Sequence, residues 1–116
     1  MRENPLEDKS KAFALRIVRM YKWLKDRGES VMSKQVLRSG TSIGANIAEA
    51  QYAQSRADFT TKLTIALKEA SETRYWIDLL KQSEFLPDDE STTSLISDCS
   101  ELIRLLVAST KTAQGK

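Results

Sequence analysis

The chain has 116 residues, enough for one domain with a real core and too few for two. Hydrophobic residues make up 41%, which excludes disorder as the default; no apolar run approaches a membrane span, and a single cysteine excludes an internal disulfide framework. The net charge of +2 is unevenly placed: residues 1–28 carry eight Lys/Arg against four Asp/Glu, and residues 87–116 carry three against five.

No signal-peptide core follows Met1-Arg2-Glu3-Asn4-Pro5, so a cytoplasmic location is expected. The first helix is predicted over 6–27, with Leu6, Phe13, Ile17, Met20, Tyr21 and Leu24 on one face and Gly28 as its stop. The second is predicted over 32–52, capped by Ser30 or Ser33. Ser39-Gly40 is a turn signal, but Val36, Gly40, Ile43 and Ile47 stay in phase across it, so the helix is read as continuous. Gly40, Gly44 and Ala48 leave a bare stripe on this helix. Interior glycines cost about 1 kcal/mol each relative to alanine, so the helix is expected to need that space for a close neighbour. A helix apolar on one side, bare on another and polar on a third is expected to make contacts on several faces and to favour self-association.

The third helix is predicted over 56–84. Ser55-Arg56-Ala57-Asp58 resembles a capping box, and Phe59, Leu63, Ala66, Ala70, Thr73, Ile77 and Leu80 follow a heptad seam. The fourth is predicted over 88–110, with Asp88, Asp89 and Glu90 at its positive end and Leu95, Cys99, Leu102 and Leu106 inside. Residues 110–116 read as a frayed tail. Short links make neighbours antiparallel, so the expected fold is all-α, a single-domain up-down-up-down four-helix bundle.

Little in the chain points to catalysis. Histidine is absent, which removes the usual general base and the usual zinc ligand. Cys99 reads as a core thiol. Glu69-Ala70-Ser71-Glu72 has the spacing of a di-metal motif without its histidine, and no phosphate loop is present. The expectation is a non-enzyme with no cofactor and no metal.

Two polar surfaces remain. On the first helix, Lys9, Lys11, Arg16, Arg19, Lys22, Lys25 and Arg27 lie away from the core stripe, with Leu15, Val18 and Trp23 among them. Lys11, Arg16, Arg19, Lys22, Trp23 and Lys25, together with Arg38 of the second helix, are the candidate nucleic-acid-binding residues: cations neutralise phosphates and an indole stacks on bases. The other reading of this face is a solvated strip with its apolar residues between subunits. The second surface is the polar stripe of the second helix. Ser42, Asn46 and Glu49, with Glu69 and Glu72 of the third, are the candidate buried polar network, with Lys62, Glu69 or Arg74 as partners.

The stretch Arg38-Ser39-Gly40-Thr41-Ser42-Ile43-Gly44-Ala45-Asn46-Ile47-Ala48-Glu49-Ala50 resembles the signature of a bacterial family of four-helix bundle proteins. These are encoded in intervening sequences of large-subunit ribosomal RNA genes. Asp58-Phe59, Leu63, Ile65-Ala66-Leu67-Lys68-Glu69 and Glu72 resemble the family's second block, with Lys68-Glu69-Ala70 where many members carry a glycine-serine pair. Glu49-Ala50 likewise replaces the commoner Glu-Gly. The resemblance implies an antiparallel bundle that assembles into a ring, commonly a pentamer. It also implies kinship with the accessory variability proteins of diversity-generating retroelements, basic pentamers that bind nucleic acid. The expected function is therefore a homo-oligomer, pentameric by resemblance, that binds RNA or DNA through a basic face. The alternative is a protein-interaction scaffold whose basic face meets an acidic partner.

Overall fold

The computed structural model describes residues 4–115; residues 1–3, where the chain start was read for a leader, and Lys116 lie outside them. Four helices follow one another: α1 (Pro5–Asp26), α2 (Val31–Ala50), α3 (Arg56–Gln82) and α4 (Glu90–Ala113). Each packs on its neighbours in chain order, and α4 closes the bundle against α1, the least extensive of the four contacts. The molecule measures 44 × 26 × 20 Å. Among the described residues, no helix is long and apolar enough to cross a membrane.

The core follows the helical stripes. Phe13, Ile17, Met20 and Leu24 of α1, Val36, Ile43 and Ile47 of α2, the seam from Leu63 to Leu80 of α3 and Leu95, Cys99, Leu102 and Leu106 of α4 are buried. α2 runs unbroken through Ser39-Gly40. Ser39 stays inside because its hydroxyl meets another hydroxyl: Thr73 Oγ1 lies 2.8 Å from Ser39 Oγ and 2.7 Å from the Glu69 carbonyl oxygen. The two groups form a short chain ending on backbone, so neither is left unbonded in the core.

The bare stripe of α2 has its neighbour inside the same chain. A Cβ built on Gly40 would stand 2.9 Å from both γ carbons of Ile17, and one on Gly44 would stand 3.5 Å from the backbone and side-chain oxygens of Ser10. The close approach is that of α1 to α2. The close neighbour expected of Gly40 and Gly44 is thus α1 of the same chain, while Ala48, the third position of the stripe, is exposed.

α2 stops at Ala50 rather than 52, α3 at Gln82 rather than 84, and α4 starts at Glu90 after the cap Asp89, which leaves Asp88 outside its first turn. Three ends also differ from expectation in how they are held or where they stop. Ser30 is the cap residue before α2, but its side chain makes no capping bond. The preceding Glu29 does this instead, its carboxylate accepting from the backbone N–H groups of Val31 (3.2 Å), Met32 (2.9 Å) and Ser33 (2.8 Å). At α3, Ser55 accepts from Asp58 N, but the Asp58 carboxylate reaches back to Gln54 N rather than to the cap residue, completing the box one position early. α4 continues to Ala113, beyond the expected tail start. Thr110 and Ala113 are buried, and Arg56 Nε donates to the Ala113 carbonyl at 3.0 Å, which holds the last turn against α3. Gly28, at φ +89°, ends α1 as expected of a glycine in the left-handed region.

Candidate nucleic-acid interface

Folding divides the cations of α1 into two groups. Lys9 and Arg16 flank the side facing α4 and are engaged there. Lys9 Nζ donates to Glu101 at 2.9 Å, and Arg16 donates to Asp98 at 2.6 Å, to Ser94 Oγ at 3.1 Å and to the Ser91 carbonyl at 3.3 Å. Lys11, Arg19, Lys22 and Lys25 are exposed and, among the described residues, form no ion pair. They project from the turns opposite or beside the Phe13–Leu24 stripe, where a 100° step per residue carries them away from the core. Leu15, 51% exposed, stands among them.

Trp23 is 36% exposed. The Arg27 guanidinium lies 3.8 Å from the centre of its ring, and Arg27 Nη1 donates to the Trp23 carbonyl at 3.1 Å. Beside the indole a groove of about 350 Å³ opens between the second half of α1 and the link from α3 to α4. Arg19, Met20 and Trp23 line one side, and Leu86, Pro87 and Leu95 line the other.

Arg38 stands apart from this face. It lies on α2 and donates to Glu69 at 3.0 Å and to Glu72, bridging α2 to α3. The bond to Glu72 raises the guanidinium's pKa further, and the Glu72 carboxyl is held below the usual carboxylate range, first by the Trp76 indole N–H at 2.9 Å and then by Arg38.

The stripe expected to be a buried network lies at the surface of the single chain. Ser42, Asn46, Glu69 and Glu72 are half-buried and Glu49 is exposed, because this side of α2 turns away from Val36, Ile43 and Ile47. Nor do the five form one network. Ser42 Oγ donates to the Arg38 carbonyl at 2.7 Å and Asn46 Nδ2 to the Ser42 carbonyl at 2.9 Å, both within α2. Glu49 accepts from Lys62 at 3.0 Å, while Arg74 turns to Asp78 and Ser100. Ser39 and Thr73 are instead the buried polar pair that joins α2 to α3. The available signal was the polar Thr73 on an otherwise apolar seam.

Three further groups are perturbed: Lys62, raised by its bond to Glu49, and Glu29 and Cys99. Burial pushes the Glu29 carboxyl up, but its backbone N–H partners and the Ser33 hydroxyl outweigh this and hold it below the usual range. Burial pushes the Cys99 thiol up to about 12, and its Sγ donates to the Ala70 carbonyl at 3.4 Å, so it stays protonated and unreactive.

A crystal structure of a protein of unknown function, from the S23 ribosomal protein family of Bacteroides thetaiotaomicron, has the same fold. It is 55% identical, covers 91% of this chain and 98% of its own, and superposes with a TM-score of 0.88. Among curated proteins none matches. The family model for the 23S rRNA-intervening sequence protein matches residues 2–108. With that model spanning nearly all of the bundle, the chain belongs to the 23S rRNA-intervening sequence protein family.

Proposed function

We propose that this protein is a non-enzymatic, cytoplasmic homo-oligomer that binds RNA or DNA through the outer face of α1. The observation that carries the reading is the set of four cations, Lys11, Arg19, Lys22 and Lys25, left without carboxylate partners among the described residues on one helix while Lys9, Arg16 and Arg38 are engaged within the chain. Unpaired cations in a row are what a phosphate backbone requires. Repeating the row around an assembly concentrates a modest charge into a strong local field. The resemblance described above supports a pentamer as the assembly and kinship with the retroelement accessory proteins as part of this reading. The lack of histidine and the protonated, enclosed Cys99 favour a binding role over catalysis.

Gel-shift titrations with a structured RNA and a single-stranded DNA at two salt concentrations test the binding. Affinity is expected to fall steeply with salt, because each phosphate contact releases counterion. Binding that is absent, or indifferent to salt, removes the reading and leaves a scaffold for an acidic protein partner. The absolute mass of the assembly, measured with and without RNA, tests the oligomer: a monomer in both conditions refutes it.

A further inference from the structure

We infer that the groove beside Trp23 accepts one unpaired base of a single-stranded nucleic acid, with the flanking phosphates on Arg19 and Lys22. This rests on the reading of α1 as a nucleic-acid face and gives that face a preference among strands.

The groove's size is the first argument. At about 350 Å³ it lies at the small end of ligand pockets, which run to roughly 1,000 Å³. It is large enough for one planar ring. Its floor is apolar, from Met20, Leu86 and Leu95, and an aromatic ring stands at its rim. An apolar slot beside an indole takes the face of any base, because every base has one.

Charge sets the direction. Arg19, one turn before Trp23, has no carboxylate partner among the described residues, and Lys22 carries the positive rim onto the outer face of α1. On the α4 side, Asp89 lines the groove with Asp88 and Glu90 beside it in sequence. Phosphates are therefore drawn to the α1 rim and repelled from the α4 rim, so a bound strand lies along α1 with its base turned toward α4. There the Ser91 and Thr92 hydroxyls can bond base edges. Arg16 also lines the groove, and its bonds to Asp98, Ser94 and Ser91 fix its position. A duplex keeps its bases stacked and paired. It can contact the lysines but has no base free to fill the slot.

The chain's two tryptophans allow a direct test, since Trp76→Phe leaves Trp23 as the sole indole. Short single-stranded RNA and DNA are expected to quench Trp23 emission on binding, and a duplex of equal length is expected not to. Trp23→Ala is expected to weaken single-strand binding by about tenfold, with Trp23→Phe recovering most of the loss through its ring. Salt-dependent binding of single strands with unchanged emission and wild-type affinity for Trp23→Ala overturns the groove assignment while the α1 reading stands. Equal quenching by the duplex overturns it too. If no nucleic acid binds at low salt, the α1 reading fails and the groove assignment fails with it.

Discussion

Gly40 and Gly44 sit one turn apart on α2 and meet different parts of α1. A Cβ at 40 would press on the branch atoms of Ile17 at 2.9 Å, and Ile17 is wholly buried and stiff about its first torsion. Overpacking of this kind costs roughly 1–3 kcal/mol, against about 1 kcal/mol regained from helix propensity. Gly40→Ala should therefore lower stability, by about 1 kcal/mol in net. A Cβ at 44 makes ordinary contacts at 3.5 Å, so Gly44→Ala should keep the propensity gain and raise stability by about 0.5–1 kcal/mol. Gly44→Leu exceeds that space and should cost roughly 1–3 kcal/mol. Urea unfolding of the three variants checks the ordering; a stabilised Gly40→Ala would mean that α1 yields there. Four-residue spacing announces that α2 needs room, but it carries no information on whether the neighbour belongs to the same chain. For that reason the stripe was legible in the sequence and its partner was not.

At the level of the helix, the start of α2 depends on a residue that sequence rules pass over. Serine is the favoured cap, and Ser30 holds the cap position, yet the bonds come from Glu29 one residue earlier. A glutamate has the reach to satisfy three orphan N–H groups, and its charge suits the positive helix end. Its folded pKa lies below its unfolded value, so its contribution is complete above the unfolded pKa and is lost as pH falls through the folded one. Glu29→Gln should cost about 1 kcal/mol near neutral pH. The gap to the wild type should close in the acid range, where the wild-type carboxyl is protonated. Unfolding curves at the two pH values check this; a gap that persists in acid assigns the role to packing. The seams of α1, α3 and α4 were readable because burial repeats every three or four residues. Ion pairs were not readable. Arg16 and Arg19 look alike in the sequence, but the partner of Arg16 lies 82 residues away on α4, and only folding separates the engaged cation from the unpaired one.

For the whole molecule, that separation makes the charge balance a poor guide and the geometry a better one. A net charge of +2 argues weakly for nucleic-acid binding, but four cations with no ion pair among the described residues share a helix while many carboxylates are occupied elsewhere. Lys11, Lys22 and Lys25 make no ion pair among the described residues, so their triple replacement by alanine should leave stability within about 0.5 kcal/mol per site. The same change should flatten the dependence of log affinity on log salt. Each lost phosphate contact on a single strand removes about 0.7 from the slope, so three remove about two. Arg38→Ala should behave in the opposite way. Its guanidinium bridges Glu69 and Glu72 on another face, so its loss should loosen the α2–α3 contact by under about 1 kcal/mol, given its exposure, and leave the slope unchanged. Salt titrations of both variants, read beside their unfolding curves, decide the matter. If Arg38→Ala flattens the slope and the triple lysine variant does not, the nucleic-acid surface lies over α2 and α3 rather than along α1.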